Sequence, residues 1–203
     1  MIIVAGTGLV GTHAAEQLRR RGHDVRSVSH KTVNEVDPAS ADVVLLAHGG
    51  DHARHARRFL TAGCHVVSVS DDLDDVRELL TLETLAQRRG VPLVVGAAMS
   101  PGLSGLVARH LASRLDRLDE IHVSVHGTGG PACAVAHHRA LGGTSLNWHD
   151  GRWMERPAGS GRELAWFPEP LGAKDCYRAE MADPVVLTRV FPEAGRVVAR
   201  MSA

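Results

Sequence analysis

Gly6-Thr7-Gly8-Leu9-Val10-Gly11 is a complete G-x-G-x-x-G run, and the chemistry such a run performs is the holding of phosphate. An apolar stretch, Ile2 to Ala5, precedes it, and a helical stretch from Leu9 to Arg21 follows. In that setting the first glycine allows a tight turn, the second lets the backbone approach a pyrophosphate, and the third lets helix and strand pack closely. The phosphates then sit on the free amides of the helix N-terminus. Gly6, Thr7, Gly8, Leu9, Val10 and Gly11 are therefore the predicted pyrophosphate contacts. The alternative is a glycine turn that only packs, in a domain without its ligand.

The choice of dinucleotide is made at the end of the next strand, where an acid would bind the ribose 2′-hydroxyl of NAD. This chain has Ser29-His30-Lys31 there instead. A hydroxyl, an imidazole and an ammonium suit a 2′-phosphate better, so NADP is the predicted cofactor and NAD the alternative. Ala47-His48-Gly49-Gly50 follows a later apolar run at its C-terminal end, where ligands of such sheets bind. Ala47, His48 and Gly49 join the predicted cofactor contacts on that ground. His48, His52 and His55 form the tightest histidine set, but no Cys or carboxylate completes a familiar ligand spacing. They are read as part of a solvated helix face rich in Arg and His, and no metal is assigned. Gly102-Leu103-Ser104-Gly105 lacks the spacing of a nucleophile elbow, and its serine falls inside a helix.

The elements that must position these residues alternate through the first 120 residues. Apolar or β-branched runs at 2–5, 25–29, 42–47, 65–69 and 92–95 read as buried parallel strands. Helices are predicted over 9–21, from Asp51 to Ala62, from caps at Ser70, Asp71 and Asp72 to Arg89, and from a Ser100-Pro101 start to Leu115. Gly22, Gly63 and Gly90 end three of them just before a strand begins, as left-handed stops. Too few residues separate Ser29 from Asp42 for a full helix and strand, so any strand near Thr32 to Val36 is very short or absent. The pattern is an α/β fold: a Rossmann-type doubly wound parallel sheet over 1–120.

Residues 121–203 read as a small α+β domain on an antiparallel sheet, of a substrate or dimerisation type. Ile121 to Val125 alternates with period two, and Asp150-Gly151 between Trp148 and Trp153 is a hairpin signal. Tyr177 to Met181 and Val185 to Val190 read as further strands. Gly127-Thr128-Gly129-Gly130-Pro131 leads into a short helix ending near His137 and His138. That route is predicted to bring one of these histidines into the cleft between the domains. Imidazole, with an unperturbed pKa of about 6.5, gives up a proton near neutral pH.

These pieces together resemble the saccharopine dehydrogenase-like oxidoreductases. The resemblance rests on the Rossmann unit, on Val95-Gly96-Ala97-Ala98-Met99-Ser100-Pro101-Gly102-Leu103, and on Gly161 to Gly172 with its Phe167-Pro168-Glu169-Pro170 core. Family members often follow their sixth strand with a G…P-G-L helix start and carry an F-P-x-P-x-G stretch in the second domain. The resemblance implies an NAD(P)-dependent enzyme that reduces or oxidises C–N bonds of amino-acid-like substrates, in chains usually much longer than 203 residues. His137-His138-Arg139 followed by Gly143-Thr144-Ser145-Leu146 is similar to the paired histidines and Gly-Thr-x-Leu of dihydrodipicolinate reductases, which implies a histidine as proton donor. The lysine expected after the histidines is absent.

Composition bounds the reading. Lys plus Arg equals Asp plus Glu at 23 each, so no basic face for nucleic acid is expected. No apolar run reaches the roughly 18 residues of a membrane span. The N-terminal run reads as a strand opening a cytoplasmic domain, and Cys64, Cys133 and Cys176 as free thiols. The expected activity is an NAD(P)-dependent oxidoreductase acting on a small-molecule, amino-acid-like or carbonyl/imine substrate, with a homodimer left open. The alternatives are a non-catalytic NAD(P)-binding sensor or regulatory module, or a degenerate shortened family member.

Overall fold

The computed structural model describes residues 1–127 and 129–203, and Thr128 of the expected glycine-rich connection lies outside them. The chain divides into two compact units, Met1–Ala98 and Met99–Ala203.

The first unit is a five-stranded parallel sheet. Its strands are β1 (Ile2–Ala5), β2 (Val25–Val28), β3 (Val43–Leu46), β4 (His65–Ser68) and β5 (Leu93–Val95), in the order β2-β1-β3-β4-β5. Every neighbouring pair is parallel, with Ala5 opposite Val28 on one side and Leu46 on the other. The helices are α1 (Leu9–Arg20), α2 (His52–Thr61), α3 (Leu73–Leu80) and α4 (Glu83–Arg89). Right-handed crossovers that leave β1 in opposite directions put their helices on opposite faces. The face carrying α2, α3 and α4 holds the main core, built from Ile3, Ala5, Val44, Leu46 and Val66 with Phe59, Leu60, Leu79 and Leu82. Each such large side chain contributes about 1.5–3 kcal/mol by leaving water.

Gly22, Gly63 and Gly90 all have positive φ, of 81°, 83° and 66°, as the left-handed stops require. The short link between β2 and β3 holds 3-10 turns at Val33–Glu35 and Pro38–Ser40 and no strand. The helix expected from 73 to 89 is two helices, because the chain breaks at Thr81 and Leu82, where the Thr81 hydroxyl turns back to the Glu78 carbonyl. Asp72 caps α3 by accepting from the Asp75 amide, as expected.

The second unit begins at Met99, earlier than the boundary expected at 120, and takes in α5 (Leu103–Ala112), whose Ala108 and Ala112 pack with Ile121, Leu187 and Val197. The remaining elements are β6 (Glu120–Val125), α6 (Pro131–Gly142), β7 (Thr144–His149), β8 (Arg152–Pro157), β9 (Glu163–Phe167), β10 (Gly172–Arg178), α7 (Asp183–Val190) and β11 (Arg196–Ser202). The sheet runs β8-β7-β11-β10-β9, with β6 on β11. All its pairs are antiparallel except β6 with β11, which are parallel from Glu120 opposite Arg196 to Val125 opposite Met201. Val125, Ala199 and Met201 face Ala140 and Leu141 of α6, while Glu120, His122, Arg196, Arg200 and Glu163 form ion pairs on the other face. The β7–β8 hairpin turns at Asp150 and Gly151, with φ of 45° and 81°, the geometry of a two-residue primed turn. Val185 to Val190 is helix α7 rather than the expected strand. Pro184 at its first turn and buried Leu187 outweigh the β-branched propensity of its valines. The expected strand from Tyr177 ends at Arg178, as part of a longer β10.

Candidate functional site

The strand order reverses between β1 and β3, and ligands of open parallel sheets bind beyond the strand ends at that point. Gly6 leaves β1 there, Ser29 leaves β2, and Ala47 leaves β3. Backbone bonds tie the three together: Gly6 N donates to Val28 O at 2.8 Å, and Ala47 N to Ala5 O at 2.7 Å. The structure thus brings the predicted residues of three separate sequence stretches to one edge.

The three motif glycines have different reasons. Gly6 has φ +148°, and a Cβ there would lie 2.2 Å from Ala47 O. A Cβ on Gly11 would lie 2.0 Å from Gly6 O, so the close packing of helix on strand excludes it. A Cβ on Gly8 would meet nothing within 4 Å, and Gly8 has an ordinary extended φ of −80°. Neither packing nor backbone conformation demands a glycine at 8. Thr7, Gly8, Leu9 and Val10 are all exposed, Leu9 to 71%. The first turn of α1 has no side-chain cap and no acid. Its leading amides have no intrahelical acceptor, and the helix dipole leaves that end positive. The place fits an outside anion.

At the end of β2 the Ser29 hydroxyl is engaged with the Thr32 side chain at 3.1 Å, while His30 and Lys31 are exposed. Of the three predicted selectors, Lys31 and His30 are therefore the ones free to reach outward.

The loop after β3 departs from expectation. Asp51 does precede α2, but at φ +52° and without a side-chain cap. His52 and His55 do not lie on a solvated face; they are buried with Ala53, Ala56, Phe59 and Leu60 along the core stripe of α2. His48 sits against both, with ring centroids 4.5 Å from His52 and 5.2 Å from His55. Burial, with His48 alongside, holds the His52 imidazole down to about 4 and also lowers His55. Asp75, buried nearby, accepts the Ala53 amide at 2.9 Å. Among the described residues no group of three His, Cys, Asp or Glu is placed to hold a metal ion.

His137 and His138 lie in the second unit, within α6 rather than at its end, with rings 6.2 Å apart. His137 Nε2 donates to the Ser202 carbonyl at 2.7 Å, and His126 Nδ1 is 2.7 Å from the Ser202 hydroxyl. His138 is exposed. Sequence reasoning missed Asp183. It is 1% exposed, and both its oxygens accept hydroxyls, from Ser100 at 2.5 Å and Ser104 at 2.6 Å. Ser100 is thus not the cap of α5, which starts after Gly102. Burial raises the Asp183 carboxyl above its ordinary range, against the pull of the two hydroxyls. Cys64, Cys133 and Cys176 are all unpaired, and no helix of the described residues is long and apolar enough to cross a membrane.

No family model matches the sequence. No curated protein matches it either. Solved structures do. Saccharopine dehydrogenase (L-Glu forming) from Saccharomyces cerevisiae superposes with a TM-score of 0.58 at 18% identity, over 98% of this chain and 48% of that one. The chain has the saccharopine dehydrogenase fold. It spans about half that enzyme's length. GenD2 from gentamicin A biosynthesis, solved with NAD, matches at a TM-score of 0.46 and 14% identity, over 99% of this chain and 65% of that one. Biliverdin reductase from Synechocystis sp. PCC 6803, solved with biliverdin and NADP+, matches at 0.44 and 15%, over 99% and 72%.

Proposed function

We propose that this protein is an NAD(P)-dependent oxidoreductase acting on a small amino-acid-like or carbonyl/imine substrate. The observation that carries the reading is Gly8. It is the motif glycine that neither packing nor backbone conformation requires, and the space beside it faces an uncapped helix N-terminus. A dinucleotide pyrophosphate explains both features. Gly6 and Gly11 shape the turn, and the first amides of α1 bind the phosphates. Lys31 and His30 favour the 2′-phosphate of NADP over the 2′-hydroxyl of NAD. When bound, the cofactor supplies or accepts the hydride. The chain must add a group that gives a proton to the acceptor, and His137 or His138 is the proposed donor. The saccharopine dehydrogenase fold supports the reaction class. Titration with NADPH and NADH, followed by nicotinamide fluorescence, tests the reading. Saturable binding is expected, and its absence for both overturns the proposal.

A further inference from the structure

His52 is fully buried, and its two neighbours fix its tautomer. A backbone carbonyl only accepts, so Nε2, 2.7 Å from His48 O, carries the proton and donates. In the neutral ring Nδ1 then holds a lone pair and accepts from the Ser68 hydroxyl at 2.8 Å. Ser68 Oγ accepts in turn from the Ser70 amide at 3.2 Å. A directed chain of donors therefore runs from the end of β4, through His52, to the loop after β3.

Within that loop the local side-chain bond is from His48 Nδ1 to Gly49 O at 3.2 Å, and it does not reach the residues that follow. Gly50 and Asp51 are consecutive left-handed residues, at φ 70° and 52°, and Asp51 makes no capping bond. A non-glycine residue held there costs about 1 kcal/mol or more and persists where its surroundings impose it. The other end of the loop presses on the phosphate turn, since Ala47 O excludes any Cβ from Gly6.

We propose that His52 is a positioning residue for the dinucleotide site: through the His48 carbonyl it holds the loop from Ala47 to Gly50 against the Gly6 turn. This rests on the reading of that turn as a dinucleotide site. Glutamine places its amide nitrogen near the position of Nε2, and asparagine near that of Nδ1. H52Q therefore keeps the bond to the loop, and H52N keeps only the bond to Ser68. The test measures NADPH affinity and amide hydrogen exchange at residues 48–51. H52N is expected to bind about tenfold more weakly, with faster exchange, while H52Q stays within about threefold of wild type. Wild-type affinity and exchange in H52N, or equal losses in both variants, would overturn the proposal. Should H52N not fold, H52Q and S68A decide together: both keep a donor on the His48 carbonyl and lose only the bond to Ser68. Both are then expected within about threefold of wild type, with unchanged exchange at residues 48–51, and about tenfold weaker binding with faster exchange in either overturns the proposal. If wild type binds neither dinucleotide, the functional reading falls, and the exchange arm still decides whether His52 holds the loop.

Discussion

A Cβ built on Gly6 would sit 2.2 Å from the carbonyl oxygen of Ala47. The turn after β1 and the loop after β3 are pressed backbone to backbone, with no room for a methyl. Gly11 meets Gly6 O at 2.0 Å in the same way, while Gly8 faces open space. The three glycines should therefore respond differently to alanine. Gly6→Ala and Gly11→Ala should each lose about 2–5 kcal/mol of stability in urea denaturation. Gly8→Ala should melt like wild type yet bind NADPH about tenfold or more weakly, because its methyl fills the space the pyrophosphate needs. A Gly8→Ala protein with undiminished affinity sinks the phosphate assignment.

Cofactor preference follows from the end of β2, where Ser29 is tied to Thr32 and Lys31 stands exposed. Lys31→Glu replaces a cation suited to a 2′-phosphate by an acid suited to a 2′-hydroxyl. Wild type should prefer NADPH over NADH, and the variant should narrow that gap by about tenfold or reverse it. Parallel titrations with the two dinucleotides decide the matter. A wild type that prefers NADH refutes this assignment.

Much of the first unit was legible because its signals are local. A glycine stop followed within three residues by an apolar run marks the helix-to-strand junctions at Gly22, Gly63 and Gly90, and all three adopt the conformation that their position predicts. The second unit depends on distant contacts. Strand β11, the centre of its sheet, is Arg196-Val197-Val198-Ala199-Arg200-Met201-Ser202, buried from Val197 onward. Val198 interrupts the alternation of Arg196 and Arg200 with Val197, Ala199 and Met201, so no clean two-residue period betrays it. The valines of α7 misled in the opposite sense. At the site, the G-x-G-x-x-G turn was plain, but the burial of His52 was not. Its partners are Ser68 and a carbonyl, and neither has a recognisable spacing from it. The Asp183 contacts join positions separated by 83 and 79 residues, which no local pattern reveals.

Acid should weaken the first unit through His52. Burial lowers its imidazole from 6.5 to about 4, so the unfolded chain binds a proton more readily than the folded one. Stability from this group is thus present above the unfolded value and lost as pH falls from 6.5 toward 4. The loss amounts to about 3 kcal/mol when complete. His55 shifts in the same direction and keeps part of the acid sensitivity. Urea denaturation at about pH 7.5 and about pH 5 should show a clear difference in wild type and a smaller one in H52Q. An identical pH difference in both would refute the assignment of this titration to His52.

Asp183 should have the opposite sign. Burial raises its carboxyl, so the folded state holds the proton more tightly than the unfolded chain does. Its contribution is fully present below the ordinary carboxylate pKa of about 3.9 and is lost as pH rises through the raised folded value. Asp183→Asn stays neutral and offers both an acceptor and a donor to Ser100 and Ser104. It should match wild type near pH 4 and exceed it near pH 8, by about 1 kcal/mol. Asp183→Ala leaves two hydroxyls without their acceptor and should cost about 2–4 kcal/mol. A pH-independent gap between wild type and Asp183→Asn would contradict the raised carboxyl.

The proton donor of the proposed reaction is decided by comparing neighbours on α6. His137 Nε2 donates to the Ser202 carbonyl at 2.7 Å, which anchors the ring to the end of β11 and leaves Nδ1 as the nitrogen able to exchange a proton. His138 is exposed. A donor must be held in place to be efficient, and the anchored ring is the one already held. Glutamine at 137 can keep the bond to Ser202 through its amide nitrogen while removing the imidazole. His137→Gln should therefore fold normally, bind NADPH as wild type does, and lower kcat about 100-fold on whichever small carbonyl or imine acceptor supports turnover. His138→Gln should leave kcat within about twofold. The same loss at His138 alone would move the role to that residue. Full turnover in the double variant would remove both histidines from the mechanism and leave the nucleotide site untouched.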